Sequence, residues 1–226
     1  MHALDEYSPE SLDELDDFFE HAPVGLHVGG ADGVIRRANR AELHVMGYAE
    51  CPDEYVGHHV AEFHASEAVI EDMLSRLVGG QQLVNHPATL RRRDGTTLPV
   101  RIYSSPRMAG TDFLNTRCLT IPLVDAGQAT GAAAPGLRPR PTRLEPVSAW
   151  AELHDFFEHA PLGLHVVDAA GIIRRANRVE LDTLGYAGAP DEYLGHHIAE
   201  FHADQRVIEE MLQTLVGGEP TRLVME

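Results

Sequence analysis

Histidine is the residue type in this sequence with the greatest capacity for chemistry. The chain has 14 histidines among its 226 residues. Imidazole exchanges protons near neutral pH and is a common ligand of metals and of haem iron. Five histidines recur at a constant spacing later in the chain: His21, His27, His58, His59 and His64 reappear as His159, His165, His196, His197 and His202. These residues suggest a metal site, a haem site or a structural role.

A metal site would need more ligands than the sequence supplies near these histidines. His58 and Glu62 are four residues apart, so on a helix they would share a face, and His59 could assist them. No third or fourth ligand is found at a fixed spacing, and adjacent histidines on a strand point to opposite faces. We therefore predict no metal site, and expect the histidines to cap and orient the connection between helices.

Catalytic motifs are also missing from the sequence. It contains no nucleophile elbow, no phosphate-binding glycine loop and no metalloprotease motif. Ser104 and Ser105 are not accompanied by any motif that would activate one of them as a nucleophile. We predict a protein without enzymatic activity.

Composition excludes further classes of function. The 18 Lys and Arg residues against 35 Asp and Glu residues give a formal net charge of −17, which argues against binding to nucleic acid or to an anionic membrane. The acidic start of the chain does not resemble a signal peptide, and no apolar run is long enough to span a bilayer. Two cysteines, Cys51 and Cys118, are too few for a disulfide framework. These features predict a cytoplasmic protein.

An internal repeat organises the chain. Residues 17–80 align without gaps with residues 155–218, and 45 of these 64 positions are identical. This period is longer than that of stacked solenoid repeats, so the repeat indicates duplication of a whole domain. Between the copies lies a stretch rich in Ala, Gly and Pro, which is typical of a linker.

The two copies differ in their length beyond the repeat. We divide the chain into an acidic N-terminal segment, a complete first domain, a linker and a second domain that lacks the last strands and is therefore truncated: 1–14, 15–124, 125–148 and 149–226. Two strands without their partners would be marginally stable and would leave an exposed edge. We therefore expect the second copy to be poorly ordered, or to be completed by another chain or by downstream sequence.

Local signals predict the elements of the first domain. Helical spacing of apolar residues predicts a helix over 11–22, and Asn39 and Ser66 are placed to begin helices that end at Gly47 and Gly79. Alternating patterns predict strands at 26–28, 34–37, 83–93, 98–104 and 113–123. This order predicts an α+β domain with one antiparallel sheet and helices on one of its faces.

Several segments in this order resemble a PAS domain. They are the segment from Ala22 to Tyr48, with its Asp32-Gly33 hairpin and Asn39 helix start, the helix that ends in Gly79-Gly80, and the Arg91-Arg92-Arg93-Asp94-Gly95 strand and turn. The segment EYVGHHVAEFHA is similar to the corresponding segment in a subgroup of PAS domains that is found in bacterial sensor histidine kinases. The resemblance implies a five-stranded antiparallel sheet, a small-ligand pocket, dimerisation through the N-terminal helix, and a partner such as a histidine kinase or response regulator.

The same resemblance implies where a ligand would bind, namely between the sheet and the segment from Asn39 to Val78. The predicted lining residues are Leu26, Met46, His59, Phe63, Ile70, Met73, Leu90, Ile102 and Leu119, with His64 beside them. Gas-sensing PAS domains hold haem through a histidine in or near the helix that corresponds to 66–78, so a haem would use His64 or His59, and His202 or His197 in the second copy. That helix has no histidine here, and the Asn-Cys-Arg-Phe motif of flavin-adduct photoreceptors is absent.

Three hypotheses of function are consistent with these residues and motifs. The chain is a sensory signal-transduction module for a small ligand or partner protein, a haem-based redox or gas sensor, or a ligand-free module for dimerisation and docking. The apolar face of the 11–22 helix packs either on its own sheet or against a partner's helix, and the sequence leaves both open.

Overall fold

The computed structural model describes residues 8–123, 146–203 and 206–208. The chain divides into two compact units, Met1–Pro161 and Leu162–Glu226. Most of the predicted linker, 125–148, lies outside the described residues, and its last three residues begin a helix. The first unit therefore includes the helix Pro146–Glu158, although the sequence repeat had assigned residues from 149 onward to the second domain.

Five strands and four helices make up the described part of the first unit. In chain order they are α1 (Pro9–His21), β1 (Gly25–Gly30), β2 (Ile35–Ala38), α2 (Arg40–Met46), α3 (Glu67–Val78), β3 (Leu83–Arg91), β4 (Thr97–Ala109), β5 (Asp112–Pro122) and α4 (Pro146–Glu158). Two short 3₁₀ turns, Pro52–Glu54 and Val60–Phe63, connect α2 to α3. The strands form one antiparallel sheet in the order β2-β1-β5-β4-β3, which confirms the predicted fold class.

The predicted helix boundaries rest on capping residues that act as expected. The side chain of Asn39 accepts a hydrogen bond from the backbone N–H of Glu42, and Gly47 ends α2 with a positive φ of 83°. Ser66 caps α3 through the N–H of Val69. Helix α1 begins earlier than predicted, because Ser8 and Ser11 form a capping box around Pro9. It therefore extends into the predicted N-terminal segment, 1–14.

The main hydrophobic core lies on one face of the sheet, which we call the inner face. Helices α2 and α3 and the two 3₁₀ turns cover this face. Buried residues in the core come from both layers: Ile35, Met46, Tyr55, Phe63, Ile70, Met73, Leu90, Val100 and Ile102 are among them. The prediction of helices on one face accounts for this inner layer alone, because the other face of the sheet is covered by helices as well.

Helices α1 and α4 lie on the opposite, outer face and are held there by arginines. Strand register places Arg37, Val28, Arg117 and Ser105 side by side across the four strands β2, β1, β5 and β4. Arg37 pairs with Asp16 and Glu20 of α1. Arg117 pairs with Asp155 of α4 at 2.6 Å, and the two side chains are only 5% and 16% exposed.

The two outer helices also pack against each other through equivalent residues of the repeat. Phe18 contacts Phe157, and Phe19 contacts Phe156, each with ring centroids 5.2 Å apart in an edge-to-face arrangement. Because Phe18 corresponds to Phe156 and Phe19 to Phe157, the two contacts are related by an approximate two-fold axis. The apolar face of α1 thus packs against a helix of its own chain as well as its own sheet.

The second unit repeats the beginning of the first. Its described residues contain β6 (His165–Val167), β7 (Ile173–Ala176) and α5 (Arg178–Leu184), and β6 pairs with β7 as β1 pairs with β2. Asn177 and Gly185 begin and end α5 as Asn39 and Gly47 do for α2. Within the described residues β6 has one strand neighbour, whereas β1 has two.

This difference predicts unequal hydrogen exchange in two nearly identical segments. We expect the backbone amides of β6 to exchange at least about tenfold faster than those of β1, since local opening costs less where a strand is paired on one side. Mass spectrometry of peptides covering 155–176 and 17–38 compares the copies within one sample. Equal protection of the two segments would show that β6 has a second neighbour.

Candidate functional site

Three polar side chains form a row across the inner face of the sheet. Strand register places His27 of β1 directly opposite Cys118 of β5, and Cys118 directly opposite Ser104 of β4. All three residues are buried. The Ser104 hydroxyl lies 2.9 Å from the Cys118 sulfur, and the Cys118 thiol donates to Thr116 at 3.5 Å. Buried polar groups in such a row need partners, and the row supplies them internally.

Asn39 positions a carboxylate beside this row. Its side-chain oxygen accepts hydrogen bonds from the N–H of Leu26 and the N–H of Glu42, both at 2.9 Å. One side chain therefore fixes the start of α2 against β1. Glu42 lies in the first turn of α2 and is fully buried.

Glu42 is the centre of a buried hydrogen-bond network. Its Oε1 atom lies 3.0 Å from Nδ1 of His27 and accepts hydrogen bonds from Tyr55 at 2.7 Å and from Thr120 at 3.4 Å. The other oxygen, Oε2, lies against Gly25, where a Cβ atom would overlap it. Glycine at position 25 therefore makes room for the carboxylate.

The charges of this network stabilise one another. Burial alone would raise the pKa of Glu42, but the hydrogen bond and charge of His27 lower it below its ordinary value. Burial alone would lower the pKa of His27, but interactions with Cys118 and Glu42 raise it to about 10. At neutral pH the pair is an imidazolium and a carboxylate, held inside the domain.

Cys118 interacts electrostatically with this ion pair. Burial raises the pKa of a thiol, but the His27 imidazolium and the hydrogen bonds of Ser104 and Thr116 lower the pKa of Cys118 below its usual value. A lowered thiol pKa increases the fraction of thiolate, which is the nucleophilic form. Both cysteines of the described residues, Cys51 and Cys118, are free.

A small cavity of about 40 Å³ lies between this row and α3. The polar part of its lining is His27, His64, Thr116 and Cys118, and the apolar part includes Ile70, Met73, Leu74, Leu77, Ile102 and Phe113. A water molecule needs roughly 10–15 Å³ measured in this way, so the cavity suits a molecule of two or three heavy atoms.

His64 is the most unusual member of this lining. It is 6% exposed, and its Nδ1 atom has no hydrogen-bond partner. Burial, with the nearby positive charge of His27, lowers the pKa of His64 to about 4. His64 is therefore neutral at physiological pH, with a free ring nitrogen in the domain interior.

The cavity includes four of the ten residues predicted to line a pocket. These are His64, Ile70, Met73 and Ile102. Met46, Phe63 and Leu90 belong to the surrounding hydrophobic core. His59 begins the second 3₁₀ turn, where its Nδ1 accepts from the N–H of Ala61, as expected for a structural histidine.

The structure places two of the predicted lining residues, Leu26 and Leu119, away from the cavity. They are directly opposite each other on β1 and β5, one position away from His27 and Cys118. Because side chains alternate along a strand, they point to the outer face and cannot reach the cavity. Both are buried, since this sheet is covered on both sides.

The residues around the cavity do not fit a haem. A site for a ligand of that size takes roughly 300 Å³ or more, and His64 faces a space several times smaller. His59 and His197 are engaged in capping turns, and His202 is exposed. Among the described residues, no three His, Cys, Asp or Glu side chains come together in a way that could hold a metal ion.

Four network residues, His27, Glu42, Tyr55 and Cys118, were not among the predicted site residues. A signal existed for the first three, because the second unit repeats them: His165 lies 2.9 Å from Glu180, which accepts a hydrogen bond from Tyr193 at 3.0 Å. Identity of the histidine, glutamate and tyrosine between the copies pointed to a shared role. Cys118 lies beyond the repeat, so no such signal marked it.

Comparison with known proteins places these features in a family. A family model described as PAS fold matches residues 19–113, and a model described as PAS domain matches residues 151–216. No curated protein matches the chain. In the part of the chain that the structure describes, no helix is long and apolar enough to cross a membrane.

Several solved structures are similar to this chain at low sequence identity. The PAS domain of an HTR-like protein from Haloarcula marismortui is 24% identical, with a TM-score of 0.43, and the match covers 50% of this chain and 93% of that one. A domain of a sensory box sensor histidine kinase/response regulator from Geobacter sulfurreducens is 23% identical, with a TM-score of 0.40, covering 48% of this chain and 91% of that one.

A third similar structure is the LOV domain of a blue-light activated histidine kinase from Erythrobacter litoralis EL346. It is 14% identical, with a TM-score of 0.41, and the match covers 46% of this chain and all of that one. Together the two family matches cover more than half of the sequence and coincide with the two copies of the repeat, so the chain belongs to the PAS domain family.

Proposed function

We propose that this protein is a non-enzymatic sensory signal-transduction module. Its first PAS copy recognises a ligand of two or three heavy atoms in the cavity beside His64 and Cys118. The helix pair α1–α4 on the outer face passes the resulting change to a partner signalling protein, such as a histidine kinase or a response regulator. The free state of Cys51 and Cys118 supports a reducing compartment, the cytoplasm.

One observation carries this proposal. Adjacent residues of β5 face opposite sides of the sheet: Cys118 points into the cavity, and Arg117 points to α4, where it pairs with Asp155. Arg117 also donates to the hydroxyl of Ser105, which in turn donates to the carbonyl of His159 just beyond α4. A shift of β5 caused on the cavity side therefore moves the groups that hold the outer helix.

Thermodynamics sets the condition for such a relay. A ligand shifts the equilibrium between two helix arrangements only by its difference in affinity for them. The Arg117–Asp155 pair is a suitable control point, because breaking a nearly buried ion pair is costly and favours discrete arrangements over gradual ones.

Xenon is a suitable probe of this coupling, because it enters small cavities lined by apolar side chains. We expect ¹H–¹⁵N NMR spectra of the protein under xenon pressure to show shifts at the cavity residues of β4 and β5 and also in α4. In the Asp155→Asn variant the cavity shifts persist and those in α4 disappear. Asp17→Asn, the equivalent change at the exposed position of α1, serves as the matched control and retains both.

Two results would contradict the proposal. Shifts confined to the cavity would show that β5 does not couple it to α4, and an absence of shifts at the cavity would show that small ligands do not enter. The first result would favour a second function, a ligand-free docking module. The equivalent contacts Phe18–Phe157 and Phe19–Phe156 support that alternative, because α1 of another copy could replace α4 and form a homodimer.

A further inference from the structure

The sulfur of Cys118 has the surroundings of a reactive thiol. It contacts two hydroxyls, Ser104 and Thr116, and interacts with the imidazole of the directly opposite His27. Glu42 holds that imidazole from its other side, through Nδ1. This order of carboxylate, imidazole and sulfur orients a charged ring toward the thiol, as in enzymes that activate a cysteine.

A second feature of the same cavity independently indicates a polar ligand. His64 is only 6% exposed, it lines the cavity together with Cys118, and its Nδ1 atom has no partner. Leaving a buried polar atom unpaired costs free energy, because the atom loses its water without gaining a protein partner. A small molecule that hydrogen-bonds to this nitrogen would recover that loss, and the cavity volume limits it to two or three heavy atoms.

We propose that the cavity admits hydrogen peroxide and that Cys118 is oxidised there to a sulfenic acid. Hydrogen peroxide has two heavy atoms, both able to donate and accept hydrogen bonds, so it matches the size of the cavity and the free nitrogen of His64. The inference rests on the proposed sensory function and names its stimulus.

The reaction balances with the groups at the site and peroxide as the oxidant. The Cys118 thiolate attacks one peroxide oxygen, an S–O bond forms, and the O–O bond breaks. The departing hydroxide takes a proton from the His27 imidazolium and leaves as water. The sulfur is oxidised by two electrons, the peroxide is reduced by two, and His27 becomes neutral beside Glu42.

This product would alter the relay described above. An added oxygen on Cys118 enlarges a side chain in a closely packed row between His27 and Ser104. Loss of the charge on His27 deprives Glu42 of the cation with which it pairs. Both changes act on β1 and β5, and β5 carries Arg117 on its other face.

The experiment compares the two cysteines within the full chain. The reduced, folded protein is treated with equimolar hydrogen peroxide, and the remaining peroxide is removed with catalase. Because dimedone is too large for the cavity, it is added afterwards together with urea, and the labelled peptides are analysed by mass spectrometry. We expect labelling at Cys118 and little at Cys51, which lies in a turn and has a raised pKa. His27→Gln should slow labelling about 100-fold, as for the loss of an acid–base group, and Cys51→Ser should leave the rate unchanged.

The fluorescence of Trp150 verifies that each variant remains folded. His64→Leu provides a second test, because it removes the unpartnered ring nitrogen and leaves the His27–Glu42 pair in place, and we expect slower labelling in it too. Labelling of Cys51 alone, or labelling of Cys118 only when the protein is unfolded in urea before the peroxide is added, would overturn the inference. If Cys118 fails to react while xenon still shifts α4, the sensory proposal stands and peroxide is not its stimulus.

Discussion

Replacing Glu42 with alanine should lower the free energy of unfolding of the first unit by about 3–5 kcal/mol, the usual cost of removing one partner from a buried ion pair. Glu42 is fully buried and accepts hydrogen bonds from His27, Tyr55 and Thr120. Its removal leaves a buried imidazolium without a counter-charge and two hydroxyls without an acceptor. Since small domains are stable by only about 5–15 kcal/mol, the loss is a large share of the total.

Urea denaturation followed by tryptophan fluorescence measures this effect in the right unit. The chain has one tryptophan, Trp150, and it lies in α4 of the first unit. The matched control is Glu180→Ala, which removes the equivalent carboxylate of the second unit and should leave the Trp150 transition unchanged. A Glu42→Ala midpoint equal to that of the wild type would show that the network contributes no net stability.

The second large effect is a loss of stability in acid caused by His64. Its pKa is about 4 in the folded protein, against an ordinary value of 6.5. Between these values the unfolded chain binds a proton that the folded chain does not, so stability falls as pH decreases from 6.5 to 4 and levels off below. The two pKa values correspond to about 3 kcal/mol over that range.

Urea titrations of the wild type and of His64→Leu between pH 4 and 7 test this expectation. The slope of stability against pH should become shallower in the variant, because leucine takes up no proton. His27 does not produce this slope, because well below pH 6.5 it is protonated in the unfolded chain as well as in the folded domain. Toward pH 7 the unfolded chain loses this proton and the folded domain keeps it, which gives a slope of opposite sign. His202→Leu, at the exposed equivalent position, should retain the wild-type slope. Identical slopes for wild type and His64→Leu would show that another group is responsible.

Local sequence signals were sufficient to predict most of the fold. Asn39, Gly47 and Ser66 cap helices through contacts within three or four residues, so their effect is visible in a short stretch of sequence. Strand alternation and the Asp32-Gly33 and Asp94-Gly95 turns are local in the same sense. Such features predicted five strands in a single sheet before any tertiary contact was known.

The errors at the site concern the direction and burial of side chains, which depend on tertiary contacts that local sequence does not reveal. Leu26 and His27 are neighbours on one strand, and apolar character suggests that the leucine faces the cavity. Because α1 and α4 cover the outer face, both faces are buried, and hydrophobicity does not distinguish them. The position of Glu42 in the first turn of α2 is typical of an exposed capping carboxylate, yet it turns inward because Tyr55 and Thr120, distant in sequence, offer it hydrogen bonds.

The pairing of α1 with α4 also changes how this contact can vary between related proteins. In a homodimer every substitution at a two-fold contact occurs on both sides at once. Here the two sides are separate positions in one chain, and they have already diverged: Asp155 is held by Arg117 in a nearly buried pair, whereas its equivalent Asp17 is 76% exposed and pairs with His21. Duplication thus freed the two equivalent positions to diverge: Asp155 attaches its helix to β5, whereas Asp17 forms an exposed pair within its own helix.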